Sequence, residues 1–191
     1  PITNMVGSHS FNQVFFEDVR IPKVNLVGEL NRGWYVAATL LDFERSGVEY
    51  SATSRRNLED LVRFARETKK NGKYLSEDRA LRNRLAALAV EVEVSRMLAY
   101  RIAWMQGQGS IPNKEASAGK LFGTELQQRV AAVGIELLGL YGQLAPGSKW
   151  APLNGFFEKS YLASFSSTIA SGTSEIQRNI IATRGLGLPR S

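Results

Sequence analysis

From residue 77 to residue 107 the chain reads EDRALRNRLAALAVEVEVSRMLAYRIAWMQG. Leu81, Leu85, Leu88, Val92, Val94, Leu98 and Ile102 recur at three- and four-residue spacing, which sets them on one face of an α-helix. Ser76-Glu77-Asp78 supplies a cap and first-turn acids. Gly107, Gly109 and Pro112 end the run. The same period holds on both sides. Upstream, residues 32–68 read as one long helix with Ala37, Leu40, Leu41, Glu44, Val48 and Ser51 on one face, continued by Leu58, Leu61, Val62, Phe64 and Ala65. Asn71-Gly72 breaks it. Downstream, residues 113–140 turn Ala118, Leu121, Leu126, Val130, Val133, Leu137 and Leu138 inward. A shorter helix over 153–168 and a last one over 174–184 follow, separated by Ser171-Gly172. Three long helices with short connections predict a mainly α, antiparallel four-helix-bundle-like domain over residues 31–191.

Residues 10–30 break the helical period. Phe11, Val14, Phe15, Phe16, Val19 and Ile21 are β-formers, and Pro22 ends the run. They read as the last edge of a sheet, so residues 1–30 are expected to be a short β remnant. The start, Pro1-Ile2-Thr3-Asn4, has no initiator Met and no leader pattern, which suggests a piece of a longer protein.

Composition narrows the class. At 191 residues, 43% hydrophobic and 22% charged, the chain fits an ordinary globular domain. No apolar run reaches the roughly 18–20 residues of a membrane span. The absence of cysteine excludes disulfides, thiolate nucleophiles and Cys metal sites, fits a reducing compartment, and suggests the cytoplasm. His9 alone cannot build a zinc site. The net charge of +6 points to an anionic partner. Its basic residues are dispersed, with no basic arm and no aromatic interleaving, so a phosphate-bearing small molecule is favoured over nucleic acid.

Three segments could carry chemistry. Glu44 stands among small and apolar neighbours, where partial desolvation would raise its pKa toward the range of a general base. The same spacing also fits a carboxylate at the stripe's edge, paired with an arginine. In Leu137-Leu138-Gly139-Leu140-Tyr141-Gly142 a helix runs into glycines that let a ligand approach the backbone, or that simply cap the helix. Ser171-Gly172-Thr173-Ser174-Glu175-Ile176-Gln177-Arg178 is a helix start able to cap itself or to hold an anion.

Taken together, these segments resemble the C-terminal half of the acyl-CoA dehydrogenases. The tail Gly172-Thr173-Ser174-Glu175-Ile176-Gln177-Arg178-Asn179-Ile180-Ile181-Ala182 is similar to that family's terminal signature. Phe16-Glu17-Asp18-Val19-Arg20-Ile21-Pro22, Asn25-Leu26-Val27-Gly28-Glu29 and Arg32-Gly33-Trp34 resemble the exit from its middle β-domain. The resemblance implies α,β-dehydrogenation of an acyl-CoA thioester in lipid metabolism, such as fatty-acid β-oxidation. A carboxylate would remove the α-proton while the β-hydride passes to N5 of FAD. Electron-transfer flavoprotein would be the electron acceptor, and the assembly a homo- or hetero-oligomer, dimer or tetramer.

Most members place the base just before the tail Gly-Thr. Here that residue is Ser171. Members of the isovaleryl and long-chain type carry it on the first helix, before an arginine, and Glu44 takes that place ahead of Arg45. The resemblance further implies that Asp42, Arg45 and Gly172 bind substrate. It also implies that Glu136, Gly139, Leu140, Thr173, Ser174 and Glu175 contribute to the cofactor site. Two departures stand out. An Arg-x-Phe-Gly segment is missing around Asn71-Gly72-Lys73, and the usual Gln-x-x-Gly-Gly reads Glu136-Leu137-Leu138-Gly139-Leu140. These admit two other readings: a non-catalytic partner subunit of a heteromeric dehydrogenase, or a flavin oxidase or monooxygenase of the same fold, against which Glu44 argues. The chain alone is expected to bind FAD weakly and to lack dehydrogenase activity.

Overall fold

The computed structural model describes residues 1–44 and 47–189, apart from the side chains of Asp42 and Phe43. Its helices are α1 (Gly33–Glu44), α2 (Val48–Glu67), α3 (Arg79–Gly107), α4 (Asn113–Leu138), α5 (Phe156–Ser167) and α6 (Ser174–Ile180). The single helix expected over 32–68 is two. Gly47 sits in the left-handed region (φ 75°), which a right-handed helix cannot pass through, and α2 starts after it. The break after α2 is a small hairpin, β1 (Lys69–Lys70) antiparallel to β2 (Lys73–Tyr74). Asn71 and Gly72 both have positive φ (53° and 82°), as a two-residue type I′ turn requires. Asp78 then caps α3, accepting from the Ala80 and Leu81 N–H groups at 2.8 and 3.1 Å.

α2, α3, α4 and α5 pack as a bundle around Leu58, Leu61, Ala65, Leu85, Leu88, Val92, Leu126, Val130, Val133, Leu138 and Phe157. α4 is the central member, packed by α2, α3, α5 and α6. It is therefore buried almost all round, including Ala116, Ser117, Gly119, Lys120, Gly123 and Thr124, whereas Ala118, Leu121 and Leu137 are only half-buried. Small residues permit this closeness. A Cβ on Gly123 would lie 2.8 Å from that of Tyr50 in α2, and one on Gly134 would press into the Phe157 ring.

α1 joins none of these packed pairs. The β edge expected over 10–30 does not form either. Among the described residues of 1–32 there is one isolated bridge, Ile2 with Phe11, and one 3-10 turn, Lys23–Asn25. β-formers with no partner strand have nowhere to place their backbone hydrogen bonds. Phe15, Phe16 and Val24 consequently remain exposed.

Gly134→Ala opposes two effects. Helix propensity gains about 1 kcal/mol. Overpacking against Phe157, fully buried and unable to yield, costs up to about 3 kcal/mol. Urea denaturation should show a net loss of about 1–2 kcal/mol. Gly119→Ala, which meets only the flexible Ile102 Cδ1 at 2.8 Å, should be closer to neutral.

Candidate functional site

The turn before α6 is held at every carbonyl that matters. Ser171 has φ 54° and Gly172 φ 93°. A non-glycine residue in that region costs about 1–3 kcal/mol and persists only when its surroundings fix it. Gln177, fully buried, donates Nε2 to the carbonyls of Ser171 (3.0 Å) and Gly172 (3.3 Å). From α4, Lys120 donates its Nζ to the same Gly172 carbonyl at 2.8 Å. Lys120 is only 1% exposed. Side chains at 172 are excluded, since a Cβ there would stand 2.6 Å from Gln177 Nε2. Thr173 then caps α6, its Oγ1 accepting from the Ile176 N–H at 3.3 Å. Lys120 is absent from the site residues that the sequence suggests, yet it lies one helical turn from both Ala116 and Thr124, on the small-residue face that α4 buries.

Thr173, Ser174 and Glu175 border a groove of about 460 Å³ with Gln128, Arg129 and Arg178. The Glu175 carboxyl is held below its ordinary value, first by its own backbone N–H and then by the Thr173 hydroxyl. Arg178 spans the groove to Glu125 at 2.6 Å. Glu136, Gly139 and Leu140 line a different hollow, a cleft of about 800 Å³ that also holds Lys69, Lys70, Arg84, Tyr141 and Trp150. Within α4, Gln128 of the groove and Glu136 of the cleft lie about 12 Å apart along the helix axis at 1.5 Å per residue. The six candidate cofactor residues thus fall into two groups on one chain. Lys69, Lys70 and Arg84 suit an anionic diphosphate, and open space at Gly139 admits close approach. The Glu136 carboxylate is the misfit. It pairs with Arg84, whose hydrogen bond holds it ionised and below its ordinary pKa.

Glu44, the last described residue of α1, is exposed, as are Ala37, Leu40 and Val48. Glu44 is exposed here rather than partly buried, and α1 joins none of the bundle's packed helix pairs among the described residues. Glu44 makes no hydrogen bond or ion pair among the described residues. The Asp42 side chain and Arg45 lie outside the described residues. No described contact joins Glu44 to Gly172.

Residues 31–186 match the family described as acyl-CoA dehydrogenase, C-terminal domain. The chain belongs to the acyl-CoA dehydrogenase family. Acyl-CoA dehydrogenase FadE26 of Mycobacterium tuberculosis is 33% identical across the whole chain, which covers 48% of that protein. Among solved structures, the steroid ACAD Tcur3481-Tcur3483 has a TM-score of 0.85 at 31% identity, over 100% of this chain and 48% of its own. The ChsE4-ChsE5 complex of Mycobacterium tuberculosis has a TM-score of 0.83 at 33% identity, over 93% and 46%. The chain spans about half the length of the curated relatives it matches. Among the described residues of this dehydrogenase-family chain, no helix is long and apolar enough to cross a membrane.

Two measurements check the site. Lys120→Met removes a charge-assisted bond of about 1.5–3 kcal/mol, and relief from burying an ammonium offsets part of that loss. The turn should loosen more than the bundle. Hydrogen exchange at the Ser174 and Gln177 amides, which bond Thr168 and Thr173 carbonyls, should quicken while core amides hold. Unchanged exchange would show that Lys120 does not fix the turn. At Glu136, the folded carboxyl lies below its unfolded value. Its stabilising contribution is therefore in place above the unfolded pKa and is lost as pH falls through the lower folded one. Arg84→Met should raise the carboxyl's pKa toward the ordinary glutamate range, as read by NMR titration.

Proposed function

We propose that the protein carrying this chain is an FAD-dependent acyl-CoA dehydrogenase with Glu44 as its base. One observation carries the assignment within the family. The residue before Gly172-Thr173 is Ser171, whose hydroxyl cannot act as the carboxylate base. Glu44 is the carboxylate that remains at a family position, and its oxygens carry no bond among the described residues.

The α C–H bond of the thioester breaks with its proton going to Glu44, and the β carbon releases a hydride as the double bond forms. Bound FAD supplies the hydride acceptor. This chain's part is to bind and orient. The Gly172 backbone lies against the thioester because Lys120 and Gln177 fix its carbonyl. Asp42 and Arg45 line the acyl-CoA pocket. Thr173, Ser174 and Glu175 would hold one part of FAD, and Glu136, Gly139 and Leu140 would hold another across a subunit boundary. The exposed apolar flank of α1, with Trp34 79% and Leu40 66% accessible, is covered in the complete enzyme, and that cover desolvates Glu44. Electrons pass on to an electron-transfer flavoprotein, and the enzyme works as an oligomer in the cytoplasm. The likeness to a steroid ACAD makes a steroid-bearing acyl-CoA the first substrate to try.

A second reading is favoured by Glu136 and by the missing Arg-x-Phe-Gly. In that reading the chain belongs to one subunit of a heteromeric dehydrogenase whose flavin sites are shared between unlike chains. The likeness to the ChsE4-ChsE5 complex supports it. One FAD per two chains would favour this arrangement; one per chain would favour the homomer.

Glu44→Gln in the complete protein should lower turnover about 10²–10⁴-fold, the usual share of a general base, with flavin absorbance retained. Undiminished turnover would remove Glu44 from the mechanism.

A further inference from the structure

Between α4 and α5 the chain makes a loop whose two ends touch. Gly155 lies on the backbone of Pro146, where a Cβ would stand 2.5 Å from the Pro146 nitrogen and 2.8 Å from the Ala145 carbonyl carbon. The loop closes through a turn of the unusual hand. Leu153 (φ 51°, ψ 32°), Asn154 (φ 55°, ψ 33°) and Gly155 (φ 70°, ψ 14°) are left-handed in succession, and the Phe156 N–H bonds the Leu153 carbonyl. L-residues enter this region singly rather than in runs, and a bulky residue such as leucine is an outlier there. Neither strained side chain explains the turn. Leu153 and Asn154 are both exposed, and Asn154 makes no hydrogen bond among the described residues. Strain of this kind persists where the surrounding structure fixes it, and it clusters at ligand clamps.

What the turn places is the segment before it. Trp150 and Pro152 line the cleft of about 800 Å³ together with Lys69, Lys70, Arg84 and Tyr141. The indole is 66% exposed, so its surface is not taken up by the core. It is held all the same. The Trp150 N–H donates to the Ser148 hydroxyl at 3.4 Å, and the Ala151 N–H to the Ser148 carbonyl at 3.1 Å. The Lys149 ammonium stands 5.1 Å from the indole centroid, a cation–π distance. A flat ring beside three cations is what a nucleotide requires, the ring for its base and the cations for its phosphates.

We infer that Trp150 is a specificity-determining residue of the cleft, the surface on which the planar base of a nucleotide stacks, and that Leu153, Asn154 and Gly155 form the positioning turn that keeps it there. The inference rests on the proposed function in taking FAD as the occupant. In that reading hydride transfer needs the flavin ring at the thioester beside Gly172, and the cleft is separate from the groove at that turn. The cleft therefore receives the non-reacting end, whose base is adenine. Trp150 selects for that base and not for the reacting ring.

Calorimetric titration of the flavin-free complete protein with FAD and with ADP tests this. Trp150→Ala should weaken both by a similar factor, about 5–100-fold, the share of one base–aromatic stack. Trp150→Phe should recover most of the loss. Gly155→Ala, which drives a methyl group into the Pro146 backbone, should weaken both ligands as Trp150→Ala does. The double variant should bind no worse than Trp150→Ala alone, because the turn acts through the indole. Additive losses would reject the positioning turn. Undiminished affinities in Trp150→Ala, with Lys70→Glu still weakening both ligands, would reject Trp150 and leave the cleft in place. Affinities that neither Trp150→Ala nor Lys70→Glu changes would reject the cleft's part in the proposed function as well. Trp150 is exposed, so its two variants decide the contact whether or not Gly155→Ala folds.

Discussion

Everything the bundle positions, it positions from α4. Four helices pack on this one, and the closeness of their backbones is possible because α4 offers glycine where Tyr50 and Phe157 press in. Its remaining polar side chains reach outward to the elements that matter for the site. Lys120 holds Gly172, Gln128 holds Thr168, Glu125 holds Arg178, Arg129 holds Glu91 and Glu136 holds Arg84. A helix with less contact could drift relative to the tail. This one fixes the register between the start of α6 and the rest of the bundle.

Lys120 is a costly way to do that if stability were the aim. Removing an ammonium from water costs several kcal/mol even after relaxation, and a buried charge seldom returns a net gain over an apolar residue. What it supplies is direction. A charged donor 2.8 Å from one carbonyl is selective about where that carbonyl stands, and with Gln177 it makes the left-handed Ser171 tolerable. The turn is thus specified by polar groups inside a core whose stability comes from Leu61, Leu126, Val130 and Phe157.

The long helices were legible because period 3.6 is a strong signal over twenty or more residues. α3 begins and ends close to where its cap and glycines place it. Three things were hidden, each for its own reason. The apolar phase carries from Ala37 to Ser51 across Gly47, so periodicity alone runs one helix through a break that backbone geometry imposes. The first half of α4, from Ala116 to Thr124, buries alanine, serine, glycine, lysine and threonine, among which a hydrophobicity reading finds no apolar stripe. The β-formers of residues 10–30 describe a strand only if a neighbour exists to pair with. Sequence pattern identifies a sticky face and is silent on what covers it. For the candidate site, the motif order revealed the tail turn but neither its Lys120 anchor nor the division of the cofactor residues between groove and cleft.

That silence bears directly on Glu44. A helix of twelve residues is marginal in water on its own, and among the described residues α1 joins none of the bundle's packed helix pairs. Its apolar flank must be covered for the helix to hold a fixed position. In the functional reading the same cover takes water away from Glu44. Stability of α1 and placement of the carboxylate then have one cause. In an unassembled chain Glu44 stands in solvent, and in that reading its working surroundings exist only where the site is complete. Under that reading, coupling of this kind would keep the base from being assembled before the rest of its site.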